Sequence, residues 1–171
     1  MLRADVYSLW LKPEDEVYDK LSSTIRQLSK PYGTPEFEPH ITVIGTLTGQ
    51  KQTVIEKLKR LARVIKPFEV KLLDIDYLNE YFRCLFIRIE QTREVMDANT
   101  QARTIFDQSR SADYMPHLSL MYGDIDITVK RAIIKAIGKS LHCTFRISDI
   151  HLYTTSGAPE HWHKIQSFDL G

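Results

Sequence analysis

Charge of one sign, cysteine and long apolar runs are all scarce in this chain of 171 residues, and each scarcity narrows what it can be. Lysine and arginine number 23 against 22 acidic residues, with no basic run or acidic tail. Proteins that grip long nucleic acid through its backbone rely on clustered cations, so no such partner is expected, whereas a small anionic ligand remains open. Two cysteines, Cys84 and Cys143, are too few for a disulfide framework, and both are expected to be reduced and buried. No apolar run approaches the ~20 residues of a membrane helix, and MLRADVYSLWLKPED turns charged too soon for a secretory signal. A cytoplasmic monomer without a membrane partner is the expectation. The seven glycines do not cluster into a phosphate-cradling loop, and neither Thr42 nor Ser119 sits in a Gly-x-Ser-x-Gly elbow.

What is present is one short phrase written twice. Pro39-His40-Ile41-Thr42-Val43 reads proline, histidine, apolar, hydroxyl, apolar, and Pro116-His117-Leu118-Ser119-Leu120 repeats it. Strand side chains alternate between faces, so His40 and Thr42 point one way while Ile41 and Val43 point the other. His117 and Ser119 stand in the same relation to Leu118 and Leu120. The apolar faces belong in a core, and the leading proline is tolerated at the first residue of a strand. Either histidine alone reads as an ordinary structural one. The repetition of both imidazole and hydroxyl predicts two strands converging on one cleft.

The rest of the chain, at 43% apolar and 26% charged, reads as a single globular domain, 1–171, in two joined lobes. Residues 5–11 alternate as a strand. A helix follows from Pro13, with acids in its first turn, and ends near Ser29 before Pro31. Residues 50–65, 94–108 and 127–138 carry helical apolar periodicity. Residues 68–77 and 81–90 read as a hairpin turning at Asn79-Glu80, and 143–154 and 162–169 as closing strands. Interleaved helices with antiparallel hairpins give an α+β class. The two histidine phrases suggest a pseudo-twofold relation with both phrases at the seam.

Other candidates are weaker. His161 and His163 fall on one strand face at i and i+2, yet no matching metal-ligand pattern accompanies them, so no metal is assigned. His142 and His151 read as structural or solvent-facing. Trp10 and Tyr122 read equally as core or cleft aromatics. Alternation puts Met121, not Tyr122, on the face of His117, so Tyr122 reaches the cleft only if the strand ends near Gly123.

Two imidazoles in opposite protonation states make a base–acid pair near neutral pH. The hydroxyls of Thr42 and Ser119 would donate to phosphate oxygens as charge develops on them, and no metal is required. With YSLW, FEPHITV, FRCLFIRIE, EVMDANTQA and YMPHLSLMYGD, the chain resembles the two-histidine (2H) phosphoesterases, and within them the plant- and fungal-type cyclic phosphodiesterases. The resemblance implies two antiparallel sheets facing a central cleft, with helices outside. It implies catalysis by His40 and His117, phosphate binding by Thr42 and Ser119, and a nucleotide wall at Trp10 and Tyr122. The implied substrates are nucleoside 2′,3′-cyclic phosphates, opened to 2′-phosphates, or ADP-ribose 1″,2″-cyclic phosphate, a by-product of tRNA splicing, with no cofactor. The alternatives are a 2H enzyme of RNA ends or 2′-5′ linkages, which the near-neutral charge disfavours, and a non-catalytic nucleotide-binding domain.

Overall fold

A computed structural model describes residues 5–108 and 113–171, so the first four residues of the amino-terminal stretch lie outside it. Among the described residues eight strands and four α-helices follow in the order β1 (Val6–Leu11), α1 (Asp15–Tyr32), β2 (Ile41–Thr48), α2 (Lys51–Val64), β3 (Phe68–Asp76), β4 (Leu85–Ile89), α3 (Arg93–Ile105), β5 (His117–Met121), α4 (Ile127–Ile137), β6 (Thr144–Ile147), β7 (Asp149–Thr154) and β8 (His163–Asp169). The α+β reading holds. The strands form one antiparallel sheet in the order β6-β3-β4-β5-β2-β1-β7-β8, so the two expected sheets are halves of a single one. The junction is the pairing of Ile41 with Leu118, one residue from each histidine phrase. Each half therefore presents its histidine strand as its inner edge.

Residues 143–154, expected as one strand, are two. Thr144–Ile147 pairs with β3, while Asp149–Thr154 pairs with β1 and β8. Only Ser148 separates them, although they occupy the first and seventh places of the sheet. The sheet must curl until those places meet, which closes a concavity around its centre. Alternation alone cannot reveal this break, because both segments alternate and differ only in partner.

The helices tie the halves crosswise. The first, α1, follows β1 in the chain but packs on β5, and α3 packs on β2. Leu21, Ile25 and Leu28 form the buried stripe of α1, and Val95, Ala98 and Ala102 that of α3. Leu58 and Leu61 of α2 are fully buried, each contributing roughly 1.5–3 kcal/mol. The helix expected to stop before Pro31 runs on to Tyr32, because proline's fixed φ suits a helix and an exposed last turn loses one bond to it. Gly33, at φ 62°, then caps it by donating to the Ser29 carbonyl.

Two local departures shape the concavity. The β3–β4 hairpin exists, but its connection holds a one-turn 3₁₀ helix, Tyr81–Arg83, where strand was expected. On β2 the register with β1 slips between Tyr7↔Leu47 and Leu9↔Ile44, with Thr46 at a strained φ of 54°. The cysteines are unpaired: Cys84 is buried as expected, whereas Cys143 is partly exposed. Among the described residues no helix is long and apolar enough to cross a membrane.

Candidate active site

The register of the central strands decides what meets what. Trp10 on β1 lies directly opposite Thr42 on β2, and on β4 Phe86 and Arg88 lie opposite Ser119 and His117. Opposed residues of an antiparallel pair share a face. His40, Thr42, His117, Ser119, Trp10 and Tyr122 all line one cavity of about 640 Å³, with Ser8, Phe82, Arg83, Asn99, Arg103, Tyr114 and Trp162. The six candidates read from the sequence are thus brought together.

Both imidazoles are held in one way. His40 Nδ1–H donates to the Glu38 carbonyl at 2.7 Å and His117 Nδ1–H to the Met115 carbonyl at 2.9 Å, each two residues back. A carbonyl only accepts, so each neutral ring carries its proton on Nδ1 and leaves Nε2 with the lone pair. Their surroundings differ. Burial, with the charges of His117 and Lys12 acting in the same direction, drives His40 down to about 4 despite the bond to Glu38. His117 is also lowered, by burial and by the nearby Arg83, against the bond to Met115.

The hydroxyls differ too. Ser119 Oγ donates to the Phe82 carbonyl at 2.9 Å, so its proton is already engaged within the protein. Thr42 is held through its backbone, where Tyr114 Oη–H donates to its carbonyl at 3.0 Å. Asn99 Nδ2 donates to the following carbonyl, that of Val43, at 2.7 Å. The second half of the chain thereby fixes the first half's histidine strand.

The aromatic groups fall into three layers. Trp10 stacks on His40 at 3.5 Å and 9°, and on Tyr153 at 3.8 Å and 18°. Two near-parallel rings so close to one centroid must lie on its opposite faces. At 2% exposure Trp10 has no free face for a base, and its place in the cavity wall is an edge beside His40. Phe37 stacks on Tyr122 at 3.8 Å and meets His40 edge-on at 6.2 Å. The strand does end at Met121, which lets Tyr122 into the cavity wall; burial pushes its phenol up although Ser119 bonds to it. At the mouth, Phe82 is 52% exposed and tilted 32° from Trp162, with centroids 6.0 Å apart. Sequence reasoning missed this pair. Its signal was an aromatic residue in each of two connections, beside Asn79-Glu80 and after TTSGAPE, with no periodic core role.

Of the remaining histidines, one has a distant acidic partner and one a partner two residues away. His142 pairs with Asp74 at 3.1 Å on the surface, and His151 with Asp149 at 3.0 Å in a largely buried setting. His161 belongs to a 3₁₀ turn and His163 opens β8, so the two do not share a strand face; both are exposed. Among the described residues no three His, Cys, Asp or Glu side chains group as a metal site.

Comparison with known proteins agrees in fold and sequence. The family model for cyclic phosphodiesterase-like proteins matches residues 6–170. A cyclic phosphodiesterase of Arabidopsis thaliana is 27% identical over 124 residues, spanning 72% of this chain and 68% of that one. A 2′,3′-cyclic-nucleotide 3′-phosphodiesterase of Yarrowia lipolytica is 26% identical, spanning 81% and 82%. Among solved structures, E. coli LigT in its apo form superposes with a TM-score of 0.71 at 15% identity, covering 98% of both chains. A Thermus thermophilus protein, TT0787, gives 0.70 at 14% identity, covering 96% of this chain and 97% of that one. At such identities the structures speak for the fold.

Proposed function

The chain belongs to the cyclic phosphodiesterase-like protein family, within the two-histidine phosphoesterases, and hydrolyses cyclic phosphates; we propose that it opens nucleoside 2′,3′-cyclic phosphates, without a metal, between His40 and His117. The observation that carries this reading is the convergence of both imidazoles and both hydroxyls on one cavity. One imidazole takes a proton from water as its oxygen bonds to phosphorus. The other gives a proton to the ribose O3′ as the P–O3′ bond breaks, leaving a 2′-phosphate. Thr42 and Ser119 donate to the non-bridging oxygens, Ser119 by turning from the Phe82 carbonyl. The base lies at the mouth against Phe82 and Trp162, with Tyr122 behind them.

A larger substrate, ADP-ribose 1″,2″-cyclic phosphate, is also supported. The cavity runs past the motif residues to the polar side chains of Asn99, Arg103, Gln108 and Asp113, and its volume of about 640 Å³ is within the range of small-ligand pockets. The test is turnover of 2′,3′-cAMP, 3′,5′-cAMP and ADP-ribose 1″,2″-cyclic phosphate in excess chelator, with the phosphate position in each product read by ³¹P NMR. The 2′,3′ ring should open to a 2′-phosphate. The 3′,5′ ring should resist, because its phosphorus leaves the line between the imidazoles and a misplacement of ~1 Å can cost about 10²-fold. Equal rates on both rings, or activity lost with chelator and regained with one divalent ion, would contradict the proposal.

A further inference from the structure

Tyr153, on β7, is absent from the lining of the main cavity and faces instead an adjoining one of about 280 Å³. It nevertheless reaches His40 by two separate routes. Its ring lies against one face of Trp10, whose other face lies against the imidazole. Its hydroxyl donates to the Glu38 carboxylate, and Glu38 is the residue whose main-chain carbonyl takes the Nδ1 proton of His40. One route ends on the face of the imidazole and the other on its edge, so together they fix both its plane and its rotation within that plane.

Glu38 is 45% exposed, yet Tyr153, Lys12 and Tyr18 all donate to its carboxylate. Burial opposes its charge, but the bonds from Tyr153, Lys12 at 3.1 Å and Tyr18 at 3.4 Å outweigh that and hold its carboxyl below the usual range. Lys12 also donates to the Tyr153 hydroxyl at 2.8 Å and sits over the Tyr18 and Tyr153 rings at 5.2 and 5.3 Å. His117 is held more simply. Its ring meets the edge of Phe86 at 5.3 Å and 66°, and Arg88 approaches the Met115 sulfur at 3.5 Å.

Resting on the phosphodiesterase reading above, we propose that Tyr153 is the positioning residue of His40, fixing the imidazole through Trp10 and through Glu38 without touching substrate. Proton transfer in line with phosphorus depends on where Nε2 points, so loosening the ring slows the chemical step and leaves substrate binding alone. A residue serving packing alone would alter stability without moving the tautomer of His40.

The experiment compares Tyr153→Phe, which keeps the stack and loses the bond to Glu38, with Tyr153→Leu, which loses both. For each, kcat and KM on 2′,3′-cAMP are measured, and the His40 ring nitrogens are observed by ¹⁵N NMR. Tyr153→Phe should lower kcat about 3–10-fold and Tyr153→Leu about 10²-fold, with KM within about twofold. Both should weaken the preference for the Nδ1–H tautomer, the leucine variant more. Unchanged kcat with unchanged His40 signals would overturn the proposal, as would a change confined to KM. Should Tyr153→Leu not fold, the phenylalanine variant decides by the same two readouts. Should the unaltered protein open no cyclic phosphate, the proposed function fails, while the His40 spectra still decide the role of Tyr153.

Discussion

The two histidine phrases share a grammar, yet the fold treats them differently. Each makes the same bond from Nδ1 to the carbonyl two residues back, because that contact is local and follows from the phrase itself. Everything beyond reach of the phrase differs. His40 is stacked on Trp10 and strongly depressed, while His117 is less fully buried, meets only an aromatic edge and is flanked by Arg83 and Arg88. Thr42 is approached through its carbonyl, whereas Ser119 already spends its proton on Phe82. Duplicated motifs therefore supply matched functional groups, and unmatched surroundings allow those groups to take opposite parts. A base and an acid need that asymmetry.

Deleting each imidazole in turn puts this contrast under the greatest strain. His40→Ala and His117→Ala should each lower kcat/KM by about 10²–10⁴-fold, the usual worth of a general acid or base. A folded variant within about threefold of the unaltered rate would remove that histidine from the mechanism. The hydroxyls should separate next. Thr42→Ala is expected to cost about 10²–10³ in kcat, the cost of a lost donor to developing charge. Ser119→Ala should cost several-fold less, because its donor must first leave the Phe82 carbonyl; equal losses would mean that this bond does not persist in the free protein.

The buried state of His40 has a consequence for stability. Its folded value of about 4 lies below the 6.5 of an unfolded histidine, so the unfolded chain takes up the proton first on acidification. Stability should be fully present above about pH 6.5, fall between there and about 4, and level below. The loss from this group is about 3 kcal/mol. Urea unfolding at pH 7 and pH 4.5 reads it, and His40→Asn should flatten that part of the slope. A slope identical in the variant would mean that water reaches the imidazole.

The smallest effect should separate the aromatic groups. Phe82→Ala should raise KM by an amount equivalent to roughly 1–3 kcal/mol, the worth of a base stacked on an aromatic ring, with little change in kcat. Trp10→Leu should act mainly on kcat, since both faces of that indole are already covered. The reverse assignment would restore Trp10 as the wall for the base.

What the sequence made legible follows the same division. Alternation is local, so the faces of His40, Thr42, His117 and Ser119 were readable, and Gly123 marked where the strand ends and Tyr122 turns inward. The clamp on His40 was not, because Tyr153 and Glu38 lie 115 residues apart and meet only once β7 joins β1. The break at Ser148 escaped for a related reason, since pairing partners leave no trace in alternation. Phe82 and Trp162 were hidden because connections, not periodic elements, bring them to the mouth.

Whether two imidazoles, unlike in environment, act as a base–acid pair is decided by the pH dependence of kcat/KM on 2′,3′-cAMP in chelator. That quantity reports the ionisations of the free enzyme, and its two limbs fall at the same places whichever imidazole is the base. With His40 at about 4 and His117 also below the ordinary 6.5, the profile should be a bell whose maximum lies on the acid side of neutrality. A rate that climbs on through pH 8, or a profile with a single limb, would contradict it.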